Sequence, residues 1–532
     1  VNALVENGGM IRADGGQVLM TTQAAGSLLA NAVNNTGVIQ AQTLQNVGGT
    51  IMLLGGMSSG TVNVGGTLDA SAPNGGNGGF IETSAAQVKV QDNVHVTTAA
   101  AQGQTGNWLI DPPDFIIGAG GDIAGSTLGA ALVTNNITIL SSSGSSGTGG
   151  DIFVNDAVSW TASGAPTTLT LLAVRDVNVN AAITATNGNL AICCGRDVNV
   201  NAKITTTNGS VLLSAGRDVN IVRSVATPLA PENNLAGITT TDGNIEICAA
   251  RDVILNNAFD HAPLITLTRG SVTAGQDLAN LGVPRGLTLM AGTAATGPGS
   301  AGGTVKFING GLAGTYITTT GPAPVTPTNI FYNPASYSTP TDYSSFFTGN
   351  GSPLNQFMLV FPDGGNKTYD GTTGAILSGL KGAPAGVTLF ADPGSTANFD
   401  TPDVGTGKTV TFNGYRLAGA DAGKYALSVN CCGPKVARTT ANIIAPAILV
   451  PALTPTPLPL PPVVQITPVV QITPDTLPTW MPVVVRPEVP PQLLALVPPA
   501  AALEEQAPVL VPVEAPRRPY VAPKRAPKQD RH

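Results

Sequence analysis

Apolar and polar residues alternate over four similar segments between residues 169 and 255, and each segment is centred on an Arg-Asp pair. The four arginines are Arg175, Arg196, Arg217 and Arg251. Six, four and two positions before each arginine, and two and four positions after it, the residue is apolar, whereas Thr, Ser, Asp, Asn and Glu occur at the odd positions. Alternation with a period of two is typical of β-strands that bury one face.

The first three arginines are separated by a constant step of 21 residues. A repeat this short cannot bury an apolar face alone, so successive repeats must stack with like residues over like, whereas a propeller blade needs roughly 40 residues. The sequences TTNG at 206–209 and TDGN at 241–244 supply turn residues that tolerate positive φ. The sequence therefore predicts an all-β fold: a right-handed parallel β-helix with about 21 residues per coil, in which Val177, Val198 and Val219 form one internal column.

The chain divides into four parts by composition. Residues 1–320 follow the same order of strand, glycine-rich turn and strand, and are expected to form the β-helix; no amphipathic helix is predicted. Residues 321–355 are rich in Pro, Tyr and Ser, which predicts a linker. Residues 356–432 predict a small β-rich module. Residues 445–532 predict a disordered Pro-rich tail with a basic end, because polyproline II segments have no core.

Composition narrows the class of protein. Charged residues make up 11% and aromatic residues 5% of the chain, with 64 glycines and a net charge of −7. A nucleic-acid-binding protein is not indicated, because that class shows a basic stripe. No run of 18 apolar residues occurs, so no transmembrane segment is expected. The chain opens at Val1 without a recognisable signal peptide, which suggests that the front is missing.

Five cysteines occur, at Cys193, Cys194, Cys248, Cys431 and Cys432. By the alternation, Cys194 points inward, and Cys193 and Cys248 point outward about two coils apart. That separation, roughly 10 Å, is too far for a disulfide between them, and adjacent cysteines in a strand point to opposite faces. A vicinal or intermolecular bridge of Cys431 and Cys432 is an open alternative. Unpaired thiols are the favoured interpretation.

Few residues suggest chemistry. The Arg-Asp pairs recur in every repeat, as in a structural ladder, whereas an active site occurs once. His95, His261 and His532 have no partners at metal-ligand spacing, and His95 is expected on the solvent face of a strand. The Gly-Gly-Asp sequences at 120–122 and 149–151 lack the tandem array that calcium-binding repeats need.

Two further segments allow a binding or a structural interpretation. Trp108 is expected to pack, although an exposed ligand platform is the alternative. The insertion at 222–237 interrupts the repeat and is the best candidate for recognition, because loops that project from a regular stack often bind ligands. The basic tail could contact acidic polysaccharide or lipid, with a solvated end as the favoured alternative.

Several segments resemble the filamentous haemagglutinin family, the exoproteins of bacterial two-partner secretion. They are GQVL at 16–19, GTLDAS at 66–71, GGFIETS at 78–84, GNWLIDP at 106–112 and the repeats around the Arg-Asp pairs. The resemblance covers roughly residues 10–280. It implies a right-handed parallel β-helix, secretion through an outer-membrane transporter, and a fragment that lacks the family's N-terminal secretion domain.

The second unit resembles the Tyr-Asp-Gly (YDG) repeat of large bacterial surface proteins. The matching segments are KTYDGTT at 367–373, DVGTGKTV at 403–410 and LAGADAGKY at 417–425. The resemblance implies a stalk or presentation module without catalytic activity.

Together these observations predict a secreted or surface-exposed bacterial adhesin-like protein, associated with the outer membrane. It would bind glycans or proteins of host or neighbouring cells along an extended shaft. No enzyme activity, catalytic residue, cofactor or metal is predicted. The alternatives are a carbohydrate-active enzyme on the same solenoid and the stalk of a toxin-delivery exoprotein.

Overall fold

A computed structural model describes residues 3–22, 31–142, 149–224, 234–257, 259–260, 262–270, 281–299, 303–308, 315–321, 326–349, 353–432 and 435–446. Val1–Val450 form one compact unit, and the second unit, Pro451–His532, lies outside the described residues, as does the predicted tail from residue 447. Within the described ranges, no helix has the length and hydropathy that crossing a bilayer requires.

The first unit begins with a parallel β-helix in which most coils contribute three short strands. The alternation of apolar and polar residues dictates this arrangement. Each strand turns its apolar face into the interior, and its backbone pairs with the strands of the coils above and below. The strands of the first four coils are β1 Ala3–Asn7, β2 Met10–Arg12, β3 Gln17–Thr21, β4 Asn31–Asn35, β5 Val38–Gln40, β6 Thr50–Leu54, β7 Thr61–Val64, β8 Thr67–Asp69, β9 Phe80–Ser84, β10 Gln87–Val90, β11 His95–Thr97 and β12 Asn107–Asp111.

The fifth coil has a helix in place of its middle strand; the later coils return to three strands, except the last. The elements are β13 Phe115–Ile117, α1 Gly125–Leu132, β14 Asn136–Ser141, β15 Ile152–Val154, β16 Val158–Thr161, β17 Thr167–Ala173, β18 Val177–Val179, β19 Ile183–Thr186, β20 Gly188–Cys194, β21 Val198–Val200, β22 Lys203–Thr207, β23 Val211–Ala215, β24 Val219–Arg223, β25 Gly237–Thr241, β26 Ile245–Ala249, β27 Val253–Asn257, β28 Ile265–Thr268, β29 Leu287–Ala291, β30 Val305–Ile308, β31 Ile317–Thr320, β32 Thr328–Tyr332 and, in the last coil, β33 Phe347–Gly349 and β34 Leu354–Val360.

The sequence did not predict α1. This helix packs closely against the next coil because it has glycines at the two points of contact. A Cβ atom at Gly125 or Gly129 would lie 2.3 Å from the carbonyl oxygen of Ala157 or Ser159, respectively. The first strands form a four-stranded sheet and then a seven-stranded sheet that begins at β13, and the second strands form a four-stranded sheet before α1 and a seven-stranded sheet after it. The third strands form one sheet of thirteen strands, called the long sheet here.

The interior is built from aliphatic columns that run from coil to coil. Val177 pairs with Val198, Val198 with Val219, and Val219 with Val253, and all four side chains are fully buried. The predicted parallel β-helix is therefore confirmed. The predicted turns are also confirmed, since Asn208 and Asp242 adopt positive φ of 52° and 55°.

The 21-residue period describes only part of the β-helix. Leu190 pairs with Val211, 21 positions on, but Val211 pairs with Ile245 and Ile245 with Leu287. Hydrogen bonds between neighbouring coils there span 34 and 42 positions. The strands keep their register while the connections vary in length, because stacking fixes the strand positions and leaves the outward loops free to grow.

Residues 321–355, for which the sequence predicts a linker, contain β32, the 3₁₀ helix Ser344–Phe346 and β33. β32 pairs with β29 and β34, and β33 pairs with β31, so this segment forms part of the β-helix. Its aromatic residues fill the interior: the Phe346 ring stacks on Phe307 at 4.2 Å, and the Tyr332 ring meets Tyr343 at 5.1 Å. The Tyr and Pro content predicted a linker because inward-facing tyrosines cannot be told from exposed ones by composition.

The β-rich module follows the last coil and extends to Ile444. Its strands are β35 Pro362–Gly364, β36 Lys367–Thr368, β37 Leu377–Leu380, β38 Thr388–Phe399, β39 Gly405–Ala418, β40 Tyr425–Leu427 and β41 Ala437–Ile444, with a 3₁₀ helix at Ala422–Lys424. β36, β41, β39 and β38 form a sheet around a small core that includes Phe399, Val410 and Phe412. β40 instead pairs with β34 as the last strand of the long sheet, so the module and the β-helix share a sheet.

Candidate functional site

The Arg-Asp pairs form a ladder of ion pairs along the β-helix. Each arginine bonds the aspartate of the preceding coil: Arg196 Nε lies 2.6 Å from Asp176 Oδ1, and Arg217 Nε lies 2.7 Å from Asp197 Oδ1. The further pairs in the ladder are Arg175 with Asp151, Arg251 with Asp218 and Lys306 with Asp252. The neutralising columns expected from the sequence are therefore present, and Lys306 extends them beyond the last arginine.

The aspartates also bind the backbone of the next coil. The N–H of Asp197 donates to Asp176 Oδ1 at 3.1 Å, and the N–H of Asp252 donates to Asp218 Oδ1 at 3.1 Å. The Asp176 side chain is only 11% exposed, whereas Arg196 is 44% exposed. Each carboxylate is thus occupied by a cation and at least one backbone amide, as expected of structural groups and unlike a free catalytic carboxylate.

Acid should weaken this ladder, and the pKa of Asp176 gives the direction in which stability changes with pH. Burial alone raises the pKa of Asp176, but hydrogen bonds from Arg196 and the Asp197 N–H outweigh it and lower that pKa below its ordinary value of 3.8. A carboxyl group whose pKa is lower in the folded than in the unfolded state stabilises the fold at pH values above its unfolded-state pKa. This stabilisation is lost as the pH falls through its folded-state pKa. The contribution of Asp176 to the free energy of unfolding should therefore be level above about pH 4 and fall below it.

Urea unfolding between pH 2 and 7 measures this dependence. Asp176→Asn should flatten the acid limb, whereas Asp392→Asn, which removes an exposed module carboxylate bonded to Arg416, should leave it unchanged. Equal slopes in the wild-type protein and Asp176→Asn would contradict the assignment.

Asparagine side chains form a second set of ladders on the outer surface. Asn220 Nδ2 donates to Asn199 Oδ1, and Asn199 Nδ2 donates to Asn178 Oδ1, each at 2.9 Å. A parallel ladder joins Asn201 to Asn180 at 2.9 Å. Because these amides bond one another, this part of the rod presents a regular, uncharged surface.

Two disulfides fasten the module to the outer face of the long sheet. Cys193 bonds Cys432 and Cys248 bonds Cys431, with Cα–Cα distances of 5.7 and 5.3 Å. The expectation of unpaired thiols is wrong for these four residues. The deductions from register are confirmed: Cys193 and Cys248 lie in one outward column with Ser214 between them, and Cys194 is buried.

Sequence reasoning missed the pairing because it considered each pair of cysteines separately. Adjacent cysteines in an irregular segment can reach two outward cysteines two coils apart, since that segment lies along the column. The signal was present in the sequence: two outward cysteines share a column and two adjacent ones occur in the module. What the sequence lacked was the return of the module onto that face.

Polar contacts support the same interface. The Lys435 ammonium lies 2.6 Å from Glu246 Oε1, and the Glu246 side chain is only 1% exposed. The Ser428 hydroxyl donates to the Thr293 carbonyl at 2.7 Å. A carboxylate buried on the face of a sheet needs a cation, and the module supplies it.

A cleft of about 620 Å³ lies beside the disulfides, between the module and the β-helix. Leu172 and Val174 line it from the β-helix, and Asn430, Cys432 and Arg438 line it from the module. Burial lowers the pKa of Arg438. Among the described residues, the Arg438 guanidinium has no carboxylate or hydrogen-bond acceptor as a partner.

The other candidate residues from the sequence are packed, exposed on a strand or held in ion pairs. Trp108 is fully buried and its Nε1 donates to Thr83 Oγ1 at 3.1 Å, so the packing interpretation is confirmed. His95 is exposed on β11, as expected. Of the two Gly-Gly-Asp carboxylates, Asp122 pairs with Lys89 and Asp151 with Arg175.

Some candidates lie outside the described residues. They are His261, His532, the central part of the insertion at 225–233, and the basic tail. At the described ends of the insertion, the Arg223 side chain donates to the Ala236 carbonyl and to Asp260. In the described part of the chain, no group of three or more His, Cys, Asp or Glu side chains is arranged to hold a metal ion.

Comparison with known proteins identifies the module. A family profile described as YDG domain matches residues 361–431, which include the Tyr369-Asp370-Gly371 sequence. These residues cover strands β35 to β40 of the module and end at the first of the two cysteines that bind the long sheet, whereas β41 lies beyond the match. No curated protein and no solved structure matches the chain.

Proposed function

We propose that the protein is a secreted or surface-exposed, adhesin-like structural protein that binds cell-surface glycans or proteins along its β-helical shaft. The observation that carries the proposal is the long sheet, which runs through twelve coils and ends in β40 of the YDG module. It makes the β-helix and the module one elongated body. Such a body offers many equivalent surface positions, and weak contacts repeated along it add by multivalency.

Two further features support this function. The ladder carboxylates are bonded to cations and backbone amides, so the repeated charges serve stability. The disulfides favour an oxidising location outside the cytosol, because thiols are kept reduced inside it. Within this proposal the chain is a filamentous haemagglutinin-like exoprotein, exported by an outer-membrane transporter of two-partner secretion.

Two measurements on the full chain test the proposal. Extracellular protease should digest the protein on intact producing cells, and purified protein should bind an array of cell-surface glycans and matrix proteins. Polysaccharides that bind should remain intact when released reducing ends are measured. Protection from protease on intact cells would overturn the location, release of reducing ends would favour a carbohydrate-active enzyme, and failure to bind any array ligand would remove the adhesive role.

A further inference from the structure

An apolar column continues past the disulfides into the cleft. On the outer face of the long sheet, Leu140 pairs in register with Leu172, and Leu172 with Cys193. Val174, which follows β17, is 52% exposed at the same edge. Outward positions of a parallel β-helix are usually polar, as the asparagine ladders show. This stretch therefore presents hydrocarbon where the module leaves the sheet uncovered.

The opposite wall brings a positive charge to that hydrocarbon. Arg438 lies on β41, opposite Thr411 of β39, and is one of the residues that line the cleft. Arg438 is half-buried, and its guanidinium has no acceptor among the described residues. The neighbouring module cations differ: Lys435 bonds Glu246, and Arg416 bonds Asp392 at 2.9 Å. A half-buried cation that lacks an anion attracts an incoming carboxylate more strongly than a fully exposed cation does, because part of its water has already been removed on folding.

We propose that this cleft binds a small amphipathic carboxylate, with the carboxylate on Arg438 and the hydrocarbon part along Leu140, Leu172 and Val174. The volume supports a small ligand, since sites for such molecules measure roughly 300–1,000 Å³ and combine apolar walls with a few polar groups. The planar fork of arginine matches both oxygens of a carboxylate. This site is independent of adhesion along the shaft.

Three probes separate the parts of the proposal: decanoate below its micellar concentration, acetate, and decanol. Calorimetric titration of the full oxidised chain should show binding of decanoate. Decanol should bind at least about tenfold more weakly than decanoate, because it lacks the charge. Acetate should not bind measurably, because it lacks the hydrocarbon chain. Equal affinity for decanoate and decanol, or no binding of decanoate, would overturn the proposal.

Matched variants locate the site. Arg438→Gln should weaken decanoate binding by about tenfold or more and remove its advantage over decanol, whereas Arg416→Gln should change neither. Leu172→Gln should weaken both amphipathic probes, while Thr170→Gln, at the next outward position of the same strand, should not. Disulfide mapping and circular dichroism confirm that each variant is folded. Unchanged decanoate affinity in folded Arg438→Gln would show that the carboxylate does not bind there.

Discussion

Val198→Asp should lower the free energy of unfolding by more than about 4 kcal/mol, because it places an unpaired charge inside the aliphatic column. Val198 is fully buried between Val177 and Val219, and no cation lies in that column to pair with the new carboxylate. Urea unfolding followed by circular dichroism measures the loss. The damage should be local, because each coil of a solenoid contacts mainly its neighbours.

Asn199→Asp is the matched control. It introduces the same charge one position along β21, on the outward face within the asparagine ladder. Hydrogen exchange in Val198→Asp should lose protection most in β18, β21 and β24, and progressively less in more distant coils. If the two variants were equally stable, position 198 would not face the interior and the register of the stack would be wrong.

The double variant Cys431→Ser/Cys432→Ser should release the module from the face of the long sheet. The two disulfides join residues separated by 239 and 183 positions. Closing a loop of that length stabilises the folded state by on the order of 5 kcal/mol for the first crosslink, and by less for the second, which joins segments already held together. The midpoint of urea unfolding should fall accordingly, and reductant should have the same effect on the wild-type protein.

Peptide mapping without reduction tests the connectivity directly. It should recover the peptide containing Cys193 linked to the one containing Cys432, and Cys248 linked to Cys431. Cys194→Ala is the control: this thiol is buried in a column of alanines, and burial raises its pKa to about 12, so its loss should leave both crosslinks and the stability nearly unchanged. A vicinal Cys431–Cys432 bridge would contradict the arrangement.

The alternation of side chains was enough to identify the coils, because a period of two leaves only one face to bury. It placed Val177, Val198 and Val219 inside, His95 outside and Cys194 inward, as observed. The Arg-Asp ladder followed from the same register. The candidate cleft did not, since its two walls come from Leu172 and Arg438, which are far apart in the chain.

Coil length and the end of the β-helix were harder to predict for the same physical reason. Stacking restrains the strands only, so long connections leave no periodic trace, and the step of 21 residues seen around Arg196 does not persist. The aromatic residues of the last coils made this segment resemble a linker by composition. Tyr332 and Tyr343 are nevertheless buried, because their hydroxyls hydrogen-bond the Thr341 carbonyl and the Thr304 hydroxyl.

By itself, the sequence determined the parallel β-helix, its internal columns and the YDG module, because these depend on residues near one another or repeated at one spacing. Only the tertiary structure decided that the module returns along the long sheet, so that Cys431 and Cys432 meet Cys248 and Cys193 and Lys435 meets Glu246. Those contacts depend on the direction in which the chain leaves the last coil. The chain returns to the long sheet where β40 pairs with β34, a pairing that no local pattern of side chains specifies.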